Sequence, residues 1–406
     1  MRPSKIIGVV FASAAVWLVA VPSSNASAHS DRSDELTLAV YGDSPYGLSD
    51  TDTSQVALTP QFIAAVNADS DVSGVLNVGD IHSGKSFCTA DYDNQIAALW
   101  SAFRDPLVYT PGDNEWSDCH KTGEGGGKYN IATGAIDFIA NGSYAQGNPS
   151  ANLALVRSTF FTKPGRTLGS GKLRVTSQAK EYDRHFPTDK NYVENVRWEQ
   201  QDIVFVTLNI PGGSNNDDDN WYGTPTKSQA QIDEITQRTA ADLRWLDAAF
   251  AYADHEHAKA VVIMEQADMW DLDGKAASHI ANYEPFIASI ASNTMAFGKP
   301  VLLMNGDSHA YRSDNPLSAT ASCITESPAG EVACTTNLGL HPQFFGVDNF
   351  HRLVVHGSTS PLEWLKLTIS ADDHGDHQRN AAPTTNPNSF GPFSWTRMNT
   401  GIVGAS

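Results

Sequence analysis

The chain has 406 residues, of which 41% are hydrophobic and 18% charged. That is enough apolar material for a large core and too much for a chain disordered throughout. With 27 Lys and Arg against 46 Asp and Glu, the formal charge is −19. Such acidity excludes nucleic acid or an anionic membrane as a standing partner.

In chain order, Arg2 and Lys5 precede an apolar run over 6–21, and Ala26-Ser27-Ala28 offers small residues for cleavage. This pattern predicts a signal peptide over 1–28, hence a secreted protein (periplasmic or extracellular) with no membrane attachment after cleavage. No later segment is long and apolar enough to span a bilayer. In an exported chain the four cysteines read as two disulfides. Of the three pairings, Cys88–Cys119 and Cys323–Cys334 are expected. The second closes a short loop, and the first ties two loops that each follow a predicted strand. No C-x-x-C spacing points to a cysteine metal site instead.

Short apolar runs predict strands over 36–41, 74–78, 107–110, 203–210, 260–264 and 301–304. Helical patterns lie between them, at 61–67, 94–103 and 229–253, the last with Leu243, Leu246 and Phe250 on one face. This alternation predicts a layered α/β fold. Residues 115–200 are Gly-rich and weakly periodic, and read as a long insertion or a set of loops near the site. Residues 352–356 and 363–369 read as a hairpin at the edge of a second sheet. From 376 to 406 a polar, Pro-containing tail is expected to pack loosely, with Phe393 to Trp395 as its docking point.

Five of the predicted strands end alike. Val40-Tyr41-Gly42-Asp43, Asn77-Val78-Gly79-Asp80, Thr110-Pro111-Gly112-Asp113, Ile263-Met264-Glu265 and Met304-Asn305-Gly306-Asp307 each place a carboxylate just past the last apolar residue. His309 follows two residues after Asp307. Any one Gly-Asp is a common turn. Five carboxylates at the same strand end, four of them in Gly-Asp pairs, are another matter, because parallel strands present their carboxyl ends at one shared edge. Carboxylates gathered there repel one another unless a cation sits among them.

This order of residues resembles the calcineurin-like metallophosphoesterase superfamily, with its pattern D-x-H, G-D, G-N-H-[DE], a strand-end His and G-H-x-H. The resemblance covers the chain from about Leu36 to Ile369, within a domain spanning 29–375. It implies a four-layer α/β/β/α sandwich with two mixed sheets, two divalent metal ions, and hydrolysis of a phosphomonoester or phosphodiester by a metal-bridging hydroxide. By position, Asp43, Asp80 and His309 would hold one metal. Asp80, Asp113, Glu265 and Asp307 would hold the other, with Asp80 shared.

The chain departs from the family pattern in telling places. Pro45 stands where D-x-H supplies a histidine, and Asp113, Glu265 and Asp307 replace neutral ligands. The second site becomes all-oxygen, which favours Mg²⁺, Mn²⁺ or Ca²⁺ over Zn²⁺. Asn114 takes the place of the histidine that steadies the transition state, and an amide has no titrating proton to give. His82 is the candidate substitute, set against a loop-packing role. Glu115 is read as a second-shell acceptor or substrate contact, and Tyr46 as lining the mouth of the site or as an ordinary buried aromatic. Pro211-Gly212-Gly213-Ser214-Asn215-Asn216 is a plain turn or an anion-facing loop, and the acidic, His-containing run 372–377 reads as solvated surface. A small-molecule or polymeric phosphoester is the expected partner. The rival reading is a non-catalytic, metal-stabilised extracellular binding protein on the same fold.

Overall fold

The computed structural model describes residues 35–271, 277–319, 321–335, 341, 346–359, 362–370 and 388–403. The expected signal peptide and the run 372–377 lie outside them. In chain order the strands are β1 (Leu36–Tyr41), β2 (Val72–Asn77), β3 (Leu107–Tyr109), β4 (Gly127–Asn130), β5 (Ala135–Phe138), β6 (Thr176–Ser177), β7 (Val196–Gln200), β8 (Ile203–Thr207), β9 (Ala260–Met264), β10 (Val301–Asn305), β11 (Arg312–Asp314), β12 (Ile324–Ser327), β13 (Gly330–Ala333), β14 (Phe350–Val354), β15 (Glu363–Ile369), β16 (Ser389–Phe390) and β17 (Phe393–Asn399).

A six-stranded sheet has the order β16-β17-β15-β1-β2-β3, and a nine-stranded sheet the order β13-β12-β11-β14-β10-β9-β8-β7-β6. Both mix parallel and antiparallel pairs. β1, β2 and β3 run parallel, as do β8, β9, β10 and β14, while β15 and β17 are antiparallel additions. The parallel strands are apolar at nearly every position because both of their faces are covered.

Side-chain alternation sorts the core. Leu38 and Val40 of β1 pack with Val262 and Met264 of β9 and Leu302 and Met304 of β10, in an apolar cluster shared by the two sheets. The opposite face of β1 and β2, with Ala39, Tyr41 and Val75, meets Phe62 and Val66 of the helix Ser54–Ala68 and Ile96 and Trp100 of the helix Ala90–Trp100. Val261 and Ile263 of β9 instead meet Trp245, Leu246 and Phe250 of the helix Gln229–His255 and Phe286 and Ile287 of the helix Glu284–Phe297. The long helix starts where Ser228 accepts a hydrogen bond from the Gln231 amide, a normal N-cap.

Two sequence expectations are corrected. Residues 352–356 and 363–369 form no hairpin, since β14 pairs with β10 in one sheet and β15 with β1 in the other. Nor is the C-terminal tail loose where it is described. β17 pairs with β15 over seven residues, and Phe393 and Trp395 are buried. Residues 115–200 hold more structure than expected, including the β4–β5 hairpin and the helix Pro149–Phe160.

Both disulfides form, Cys88–Cys119 and Cys323–Cys334. Among the described residues no helix is long and apolar enough to cross a membrane.

Candidate metal centre

The loops after β1, β2, β3 and β10 converge where the carboxyl ends of the two sheets meet. Asp43 and Asp80 are buried, at 0% and 2% exposure, while the His309 side chain is 39% exposed and marks the opening. One donor atom from each of Asp43, Asp80 and His309 falls within 4.8 Å of the others. His309 Nε2 is 3.5 Å from Asp43 Oδ1.

The repeated Gly-Asp now has a steric cause. A Cβ on Gly112 would overlap Asp80 Oδ1, and one on Gly306 would overlap Asp43 Oδ2. Each glycine therefore admits the carboxylate of a different loop. Asp43, Asp80, Asp307 and His309 themselves have φ of 48°, 56°, 73° and 64°. Left-handed backbone at non-glycine residues is strained, and such strain gathers at functional sites.

Asp80 is the best-connected carboxylate. Its Oδ2 accepts hydrogen bonds from Tyr46 Oη at 2.7 Å, Asn114 Nδ2 at 3.0 Å and Gln266 Nε2 at 3.2 Å. Its Oδ1 accepts from the Asn114 amide at 3.3 Å. Tyr46 Oη also accepts from Asn114 Nδ2 at 2.9 Å and lies 3.3 Å from His309 Nε2. Asp43 differs. Its Oδ1 accepts from the Asp307 amide at 3.0 Å, but its buried Oδ2 has no protein partner.

Burial pushes the Asp43, Asp80 and Asp113 carboxyls well above the usual range, and their neighbours add to it. Asp307 is the chief repelling charge for Asp43, Asp113 for Asp80, and Asp118 for Asp113. Burial, with Asp80 next, also keeps the Tyr46 phenol protonated as a donor.

The other expected residues fall into two groups. Asp113 and Asp307 come near each other, because a Cβ on Gly212 would lie 2.5 Å from Asp113 Oδ2 and 2.7 Å from Asp307 Oδ1. Asp113 Oδ1 accepts from Gln266 Nε2 at 3.1 Å, and Asp307 Oδ2 from the Asp268 amide at 3.0 Å. Glu265 forms no hydrogen bond to them, although Asp307 is among the charges that raise its pKa. Both its carboxylate oxygens are buried without a hydrogen bond, and Asp242 of the helix Gln229–His255 is among the charges that raise its pKa, after burial and Asp268. It follows Met264 in the alternation of β9, whose odd-numbered residues face that helix.

His82 is not placed for the acid role expected of it, whereas Glu115 is an acceptor behind the Asp113 loop. His82 is fully buried, with Nδ1 3.1 Å from the Ser83 carbonyl and its ring edge-on to Tyr92, and burial lowers its pKa to about 4. A neutral, enclosed imidazole cannot protonate a leaving group at the mouth. Glu115 is 1% exposed, and its Oε1 accepts from Tyr109 Oη at 2.5 Å and from the Gly112 amide at 2.7 Å. It braces the Asp113 loop from within.

Sequence reasoning missed Gln266, whose only signal was its place beside a strand-end carboxylate. It also missed Arg352 of β14. Arg352 binds Asp268, whose Oδ2 in turn accepts from Ser308 Oγ at 2.9 Å, so the guanidinium props the His309 loop.

No family model matches the sequence, and no curated protein matches it either. Among solved structures, a purple acid phosphatase from yellow lupin (Lupinus luteus) seeds is similar over 85% of this chain, with 10% identity and a TM-score of 0.34. The match covers 53% of the lupin chain. A likeness this loose transfers no residue roles.

Proposed function

We propose that the protein is an exported, metal-dependent phosphoesterase on a four-layer α/β/β/α sandwich, a reading supported by the three apolar clusters that flank and separate the two sheets. One observation carries the function. Asp43, Asp80 and His309, from loops after β1, β2 and β10, bring one donor atom each within 4.8 Å of the others, and Asp43 Oδ2 is buried without a partner. Two carboxylate oxygens and an imidazole suit a divalent cation that accepts nitrogen, such as Mn²⁺ or Zn²⁺. A second cation would fall to Asp80, Asp113 and Asp307.

A divalent ion held there supplies Lewis acidity toward a phosphoryl oxygen and makes water a better nucleophile at neutral pH. The protein does the rest. Tyr46 and Asn114 fix the orientation of Asp80, and His309 stands at the opening. Neither Asn114 nor His82 supplies a proton to the departing oxygen, so esters with good leaving groups are the favoured substrates.

The test is to purify the mature protein, measure bound metal, and assay p-nitrophenyl phosphate and bis-p-nitrophenyl phosphate with wild type and Asp80→Ala. Metal-dependent turnover lost in the variant is expected. Equal activity in both, or no divalent ion under any loading condition, would remove the reading. The binding-protein alternative draws on Asn114, whose side-chain amide is already committed to Asp80 and Tyr46. Tight metal binding without turnover on either ester would favour it.

A further inference from the structure

Beyond Asp113 the chain leads outward to a surface that the metal chemistry does not use. The Asp118 amide donates to the Asp113 carbonyl at 3.0 Å. Lys121 Nζ then lies 2.7 Å from Asp118 and 3.5 Å from Asp219, and its charge is felt at Asp113. His120, next in sequence, accepts a hydrogen bond at Nδ1 from the Tyr222 amide at 3.1 Å, with ring centroids 5.8 Å apart. Tyr222 meets Phe138 edge-on at 5.6 Å.

Two independent features mark this aromatic step. Phe138 ends β5, where it is 41% exposed beside Ile139 at 38% and close in sequence to Tyr144 at 46%. A soluble protein seldom leaves large apolar side chains exposed together unless something binds them. Tyr222, for its part, has a φ of 60°, a left-handed backbone that a bulky aromatic rarely adopts. The His120 contact and a hydrogen bond from Tyr222 Oη to the Gln146 carbonyl at 3.3 Å hold it there. In this conformation Tyr222 is half-buried, between His120 and Phe138.

We propose that Tyr222 and Phe138 form a subsite for a flat aromatic group of the substrate, so that the favoured phosphoesters carry an aryl group or a nucleobase. The proposal rests on the phosphoesterase reading. The rings offer edge and face contacts to a planar group, largely regardless of its hydrogen-bonding pattern.

The test is calorimetry on Mn²⁺-loaded protein with phenylphosphonate and methylphosphonate. Wild type is expected to bind the phenyl compound about tenfold more tightly, the size of one stacking contact. Phe138→Ala and Tyr222→Asn should each reduce that preference severalfold, asparagine being chosen because it tolerates the left-handed backbone. Equal affinity for the two phosphonates, binding of neither, or a preference kept intact in both variants overturns the subsite. A retained preference in wild type without ester turnover would instead count against the phosphoesterase reading alone.

Discussion

Two sets of buried carboxylates lie close together in this molecule and differ in their company. Asp314 of β11 receives Arg352 Nε at 2.9 Å and Arg312 Nε at 2.7 Å, and Arg352 also binds Asp268. Burial alone pushes Asp314 up, but the two guanidinium groups outweigh it and hold the carboxyl below its usual range. Asp43, Asp80 and Asp113 are as deeply placed, and among the described residues no Lys or Arg bonds to them. Their carboxyls are raised by burial and by one another. Burial is thus common to both sets. What singles out the second is like charge gathered with no Lys or Arg bonded to it among the described residues, the condition that an added divalent ion relieves.

The sharpest way to break the comparison is to make the first set resemble the second. Arg352→Met leaves Asp268 and Asp314 buried with their main partner gone, which should cost about 3–5 kcal/mol of stability. Urea denaturation measures it, and a loss below about 1 kcal/mol would mean that the pairing matters little. Next in size, Asp43→Asn should weaken metal binding about a hundredfold or more by calorimetry. The same change removes one of the repelling charges, so the metal-free variant should be more stable than metal-free wild type. A variant that binds metal normally would show that Asp43 is no ligand.

How much of this was legible beforehand depends on what a linear pattern can encode. Asp43, Asp80 and His309 were readable because each follows an apolar run, and parallel strands bring such positions to one edge. Glu265 obeys the same rule and yet forms no hydrogen bond with the others. Position along a strand does not give the face on which the next side chain emerges. Gln266 and Arg352 were invisible because their partners come from strands and loops far away in the chain. The β14 and β15 segments both alternate like strands, but alternation does not say which sheet a strand joins, so they were mistaken for a hairpin. β17 was hidden by the polar sequence around it, although Phe393, Trp395 and the seven-residue register with β15 fix it firmly.

A gentler perturbation of the comparison is pH. Asp93, beside the site, is raised by burial to about 8, and the Asp43, Asp80 and Asp113 carboxyls are raised as well. A carboxyl whose folded pKa lies above its unfolded value stabilises the fold below the unfolded pKa, and that contribution is lost as pH rises through the folded one. Metal-free protein should therefore lose stability between about pH 4 and about pH 8. Divalent ion at about 100 times its Kd should restore about 2.7 kcal/mol at the upper end. Stability that rises with pH in the presence of chelator would contradict the raised carboxyls.

The smallest effect is expected at Gln266. Its Nε2 sits between Asp80 Oδ2 and Asp113 Oδ1, while its Oε1 accepts from the Gly212 amide at 2.5 Å. In the metal-free protein this neutral amide is part of what makes two adjacent carboxylates tolerable. Gln266→Ala should lower metal-free stability by about 1 kcal/mol, the loss of hydrogen bonds to charged groups being partly made good by protonation. With a cation bound, the carboxylates have another partner and the loss should shrink. The gap between metal-free and metal-loaded unfolding midpoints in urea should therefore widen in the variant. Equal destabilisation in both states would make Gln266 a strut for the Gly212 loop, and the carboxylates would then need no help from it.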